Sequence, residues 1–157
     1  MICHGKCRVF ALAAVILVMG GPAVAHDCMT RMLDVIHLRD GTTLVALPAQ
    51  PFSLRWRNSV TRTMVQADYV LDPQGQIIQI AERFAAHGPG MAHDGTGWRV
   101  EGGQMVIDLY RNVGQLVLRS APEYENRLIA GDTVIDLTRW PATPLEIRPS
   151  DCKEPPQ

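Results

Sequence analysis

The sequence predicts an all-β domain, an antiparallel sandwich or a small closed barrel of about ten short strands, preceded by a helical signal peptide. Three observations carry this. Apolar and polar residues alternate with a period of two through most of the chain after His26, as half-buried strands require. Turn signals such as Asp40-Gly41, Asp72-Pro73-Gln74-Gly75 and Gly131-Asp132 separate the alternating runs, roughly every ten residues. Beyond His26 no segment carries a capped apolar stripe at the helical period; residues 29–38 come nearest, and Val35 and Ile36 there favour strand equally.

Residues 1–25 read as an export signal. Lys6 and Arg8 give a basic start, residues 9–19 are unbroken apolar, Gly20-Gly21-Pro22 interrupts the helix, and Ala23-Val24-Ala25 is a small-x-small cleavage site. An apolar run of about ten residues is half of the roughly 20 needed to cross a bilayer, so no stable membrane insertion is expected after cleavage. Cleavage after Ala25 would place the mature chain in the periplasm. Ala25-His26-Asp27 before Cys28 is not a lipid-attachment triplet, so the product is expected to be free.

The 132 residues left of 157 suit one domain with a real core. The domain is expected over residues 26–140, with 141–157 as a proline-rich, extended and irregular tail. Two of the 15 basic residues leave with the signal and all 16 acidic ones stay, for a mature net charge of −3. With no Lys/Arg cluster, nucleic acid is not an expected partner. Cys3 and Cys7 leave as well, so Cys28 and Cys152 remain at opposite ends of the mature chain. In an oxidising compartment such a pair predicts a disulfide that ties the tail back, worth roughly 4–5 kcal/mol in the chain-entropy model. No Cys-x-x-Cys spacing supports a redox role.

The strands follow in order. Residues 32–38 and 42–47 flank Asp40-Gly41 as a hairpin. Phe52, Leu54, Trp56, Asn58 and Val60 alternate with Ser53, Arg55, Arg57 and Ser59, and residues 63–71 repeat the pattern through Val65, Ala67, Tyr69 and Leu71. Pro73 and Gly75 turn the chain into a partner strand at 76–84. Further strands are predicted at 98–100, 104–110, 115–119, 127–130 and 133–137, each preceded by Gly, Asn or Asp. A closed sheet is preferred because closure removes aggregation-prone edges.

The longest interruption, residues 85–97, is glycine-rich and holds His87 and His93. Long loops on rigid β scaffolds often carry function. His87, His93 and Asp94 could offer a metal N, N and O donors, yet neither a Cys₂His₂ spacing nor a His-Glu-x-x-His helix is present, so no metal and no cofactor is expected. A free amine at His26 beside its imidazole is a weaker copper site, since Cys28 would pin it. Gly88-Pro89-Gly90 lacks the Lys-Ser/Thr and following helix of a phosphate loop and reads as a tight corner. Arg55, Arg57 and Arg62, with Ser53 and Ser59, crowd one polar strand face, which is either a solvated face, the preferred reading, or an anion site. Asn58 falls among apolar residues and must find hydrogen-bond partners, as an anchor first and a pocket residue second. Ser59 and Ser120 lack the Gly-x-Ser-x-Gly elbow, and no carboxylate pair stands out, so no catalytic residue is nominated. The candidates for a ligand or partner are thus Arg55, Arg57, Asn58, Ser59, His87, Gly88, Gly90 and His93.

The run from Phe52 through Asn58-Ser59-Val60, then Ala67-Asp68-Tyr69-Val70-Leu71, the strand at 77–84 and His87-Gly88-Pro89-Gly90-Met91-Ala92 together resemble domain-of-unknown-function family 1850. The family pattern is an apolar strand, His-Ser-Val-Glu, two strands and Gly-Ala-Gly-Leu-Pro; residues 114–119 and 127–137 resemble its C-terminal strands. The resemblance implies a small exported protein that accompanies tripartite ATP-independent periplasmic (TRAP) transporters of the TAXI type. Expected partners are then the transporter permease or its solute-binding protein. Ser59, Gly88 and Gly90 match the pattern. Asn58 stands where it has histidine, Thr61 where it has glutamate, Asn126 at another histidine, and Pro89 in place of a small residue. Loss of these titratable groups argues against a pH- or metal-dependent role.

Overall fold

Two antiparallel sheets of unequal width build the domain, as a computed structural model of residues 31–151 describes it; the export signal, Cys28 and Cys152 lie outside the described residues. The strands are β1 (Met32–His37), β2 (Thr43–Pro48), β3 (Phe52–Arg57), β4 (Met64–Leu71), β5 (Ile77–Phe84), β6 (Gly97–Glu101), β7 (Gln104–Asn112), β8 (Leu116–Arg119), β9 (Arg127–Ala130), β10 (Thr133–Asp136) and β11 (Pro144–Ser150). Short 3₁₀ turns occupy Pro122–Tyr124 and Leu137–Arg139. The smaller sheet runs β2-β1-β11-β8 and the larger β10-β9-β3-β4-β5-β7-β6.

The all-β sandwich is as predicted, whereas the preference for a closed barrel is corrected: both sheets are open. The edges are managed by other means. β8 and β10 have four residues each, too short to template a long pairing. Edge strand β6 carries Arg99 and Glu101, joined to each other at 2.5 Å, with Glu101 also 3.0 Å from Arg83 of β5, two strands away. Charged side chains on an edge disfavour docking of a second sheet.

The tail reading is also corrected in part. Residues 144–150 form β11, a central strand of the smaller sheet paired on one side with β1 and on the other with β8. Leu145 and Ile147 are fully buried, alternating with Glu146 and Arg148. The two prolines are tolerated because of where they fall. Pro144 opens the strand, and Pro149 lies beyond the last residue paired to β8, where its missing N–H costs no ladder bond on that side.

The core has two parts. Leu33, Val35, Phe52, Leu54, Ala67, Tyr69, Leu128, Leu137, Leu145 and Ile147 fill the space between the sheets. Phe52 stacks on Tyr69 with ring centres 5.1 Å apart. The larger sheet outruns its partner, and the inner faces of β4, β5 and β7 continue as a second cluster of Val65, Phe84, Ile107 and Leu109. Its cover is Met91 and Ala92, from the 85–96 loop. Trp56 packs against both clusters and marks the junction of the two covers.

Candidate functional site

Strand β3 ends at Arg57, earlier than the alternation predicts, because Asn58 turns the chain. Its Oδ1 accepts from the backbone N–H of Val60 (2.9 Å) and Thr61 (3.0 Å), an Asx turn. Its backbone N–H donates to Thr63 O, and its carbonyl accepts from Arg62 N–H. The remaining Nδ2 donates to Pro89 O at 3.3 Å. Asn58 is therefore the anchor expected of a polar residue among apolar ones, tying the β3–β4 turn to the 85–96 loop.

Gly88 and Gly90 complete that junction for different reasons. A Cβ on Gly88 would stand 2.6 Å from the Thr61 methyl, so only glycine lets the loop approach the turn this closely. Gly90 has open space around it but a φ of +80°, in the left-handed region glycine favours. Glu82, 4 % exposed, holds the loop from below. Its Oε1 accepts from Ala92 N–H at 2.8 Å and its Oε2 from Gln79 Nε2 at 3.1 Å. Arg111 continues the chain of contacts to Gln79 at 3.4 Å and to the Asp94 carboxylate.

The histidines are placed apart from this junction. His87 sits edge-on to Phe84 at 5.4 Å and lies 3.3 Å from Ala92 O. With His93, Trp98, Met105 and Ile107 it borders an open depression of about 470 Å³. Asp94 turns to Arg111 instead. Among the described residues no group of three or more His, Cys, Asp or Glu is arranged to hold a metal ion.

A better-formed cleft of about 360 Å³ lies where the smaller sheet ends at β8. Leu54, Trp56 and Tyr69 of the larger sheet and Leu116 and Leu118 of β8 give it an apolar lining. Asn58, Ser59, Tyr124 and Asn126 add polar groups; Arg55, Arg57 and Arg119 border it through their strands, but Arg55 and Arg119 alternate with the inward Leu54 and Leu118, so their side chains stand on the outer faces of the sheets. The structure thus brings Arg55, Arg57, Asn58 and Ser59 together in one site. His87 and His93 border another, with Gly88 and Gly90 in the junction between. Arg57 is fixed by Glu125, at 2.9 Å from Nε and 2.5 Å from Nη2, and donates to Arg62 O at 2.9 Å. Burial pushes the Tyr69 phenol well above its ordinary pKa, with the nearby Glu82 carboxylate adding to the effect, so it stays a neutral donor.

Arg119, Tyr124 and the β8 leucines were not legible as site residues, because β8 joins β3 only through the packing of two sheets. Buried Glu82 and Gln79, and Arg111 beside them, carried no signal beyond ordinary strand alternation.

Fold and cleft together define a small β-sandwich with a cleft at the end of its inter-sheet space. The model of the domain of unknown function family DUF1850 matches residues 52–137, and the chain belongs to that family. No curated protein and no solved structure matches it. Asn58 and Asn126 both border the cleft.

Proposed function

We propose that this chain is an exported, non-enzymatic binding domain that assists a TAXI-type TRAP transporter in the periplasm, with the cleft between β3 and β8 as its working part. The convergence of Asn58 and Asn126 on one cleft carries the reading. These residues, 68 positions apart by their numbers, stand where the family pattern places histidines, and they meet only in the folded chain. Arg55, Asn58 and Ser59 would present the cleft to a small molecule or to a transporter subunit, either the permease or the solute-binding protein. The family resemblance supports the transporter association, and the sequence of residues 1–25 supports export.

Recovery of tagged protein from cells that express the transporter tests this. The permease or the solute-binding protein should co-purify with wild type, and an Arg55→Glu/Ser59→Arg variant should recover less. Equal absence of both subunits from wild-type and variant eluates refutes the accessory role.

A further inference from the structure

We propose that the cleft binds an uncharged small molecule with an apolar body, one carbonyl oxygen accepting a hydrogen bond from the Tyr69 hydroxyl and the body lying on Leu54, Trp56, Leu116 and Leu118. This rests on the reading of the cleft as the working part of the domain.

Tyr69 is the first support. It is only 6 % exposed, yet among the described residues its hydroxyl has no hydrogen-bond partner. A buried tyrosine hydroxyl ordinarily has one. The nearby Glu82 carboxylate does not serve, because one of its oxygens accepts from Gln79 and the other from Ala92 N–H. The Tyr69 oxygen is not sealed from solvent, and the opening that this residue borders is the cleft. Stacking on Phe52, with ring centres 5.1 Å apart, fixes the ring and with it the position of the donor. Burial keeps the phenol protonated, so it remains able to donate.

Charge and shape set the class of ligand. The cleft lining includes no aspartate or glutamate. Arg55 and Arg119 stand on the outer faces of the sheets, opposite the inward Leu54 and Leu118. Arg57 is held by Glu125 and by Arg62 O. A charged head would therefore leave water for an interior with no free counter-charge, which is costly, whereas a carbonyl asks only for a donor. Leucines from both sheets and Trp56 give the body an apolar bed, and the volume, about 360 Å³, falls within the roughly 300–1,000 Å³ common for ligand pockets. Asn126 spends its Oδ1 on Ala121 N–H at 3.4 Å, which leaves its amide hydrogens as a further donor on the cleft wall.

The test titrates the ¹⁵N-labelled full-length protein with 4-phenyl-2-butanone, with 4-phenylbutyrate and with 4-phenylbutylammonium, following the tryptophan indole N–H resonances. The resonance that disappears in Trp56→Phe should shift saturably with the ketone, while those of Trp98 and Trp140 stay in place. The acid and the ammonium should each bind at least about tenfold more weakly. Tyr69→Phe keeps the stacked ring and removes the hydroxyl alone; it should retain the wild-type spectrum and weaken the ketone about five- to tenfold, as loss of one hydrogen bond predicts. Binding of either ion as tightly as the ketone overturns the uncharged class and leaves the cleft as a binding site. An unchanged ketone affinity in Tyr69→Phe overturns the role of the phenol. A shift confined to Trp98 or Trp140, or silence from all three probes at millimolar concentration, overturns the cleft reading as well. Ketone binding without transporter co-purification would remove the accessory role alone.

Discussion

Asn58→Ala removes three hydrogen bonds at one residue, and their worth can be added from their surroundings. The two that Oδ1 accepts from Val60 and Thr61 organise a turn much as a helix cap organises a first turn. Val60 is 65 % exposed, so water replaces part of this, leaving a loss of about 1 kcal/mol. The Nδ2 bond to Pro89 O is long, 3.3 Å, but Asn58 is only 8 % exposed, and its loss costs about 0.5–1 kcal/mol. The backbone bonds to Thr63 and Arg62 persist, so the turn survives. The sum is about 2 kcal/mol, a large share of the roughly 5–15 kcal/mol typical of a domain. Asn58→Ser keeps a short acceptor for the turn but cannot reach Pro89, and should cost about half as much. Urea unfolding followed by tryptophan emission and far-ultraviolet dichroism measures both, with an unchanged slope m expected. A loss below about 0.5 kcal/mol for the alanine variant, the range of ordinary surface substitutions, would refute the anchoring role.

Gly88→Ala should destabilise by about 1–3 kcal/mol, because its Cβ meets the Thr61 methyl at 2.6 Å. Adding Thr61→Ser removes that methyl and should recover most of the loss in the same urea assay; failure to recover would mean that the close approach is not the cause. Tyr69 sets an alkaline limit. Its folded pKa lies above the ordinary 10.0, so its contribution is complete below about pH 10 and lost as pH rises beyond it. Thermal midpoints across pH 9–12 should fall more steeply in wild type than in Tyr69→Phe, and parallel curves would contradict this. The proposed Cys28–Cys152 bridge predicts no free thiol from these two residues in protein recovered from the periplasm, and a loss of roughly 4–5 kcal/mol on reduction. Intact mass after thiol alkylation decides the first part; two alkylated cysteines would end the proposal.

Much of the fold was legible because half-burial writes itself into sequence as alternation. Phe52, Leu54 and Trp56 on one face of β3, and Val65, Ala67 and Tyr69 on one face of β4, fix both strands and their inward sides. The same signal was present in β11, where Leu145 and Ile147 alternate with charged residues, but the flanking prolines obscured it. Whether those prolines break a ladder depends on which neighbour pairs with them, and that is a property of the assembled sheet. Closure was the wrong inference from edge avoidance, because short strands and the Arg99–Glu101 pair protect edges locally. The site was half legible. Asn58 announced itself as a polar residue on an apolar face, whereas the arginines read first as a solvated strand face. Their partners across the cleft, Leu116, Leu118 and Arg119, arrive from the opposing sheet, about sixty residues downstream, and no local pattern encodes that meeting.

The unequal width of the two sheets has a dynamic consequence. One half of the larger sheet is covered by strands locked into hydrogen-bonded ladders, the other by a loop held at a few points. Lifting that loop breaks the Ala92–Glu82 and Asn58–Pro89 hydrogen bonds and the Arg111–Asp94 contact, and bares Met91 and Phe84, while every strand pairing stays intact. Partial opening therefore costs far less than global unfolding. Trp56, at the boundary between the two covers, lies beside a loop that can open without breaking a strand ladder.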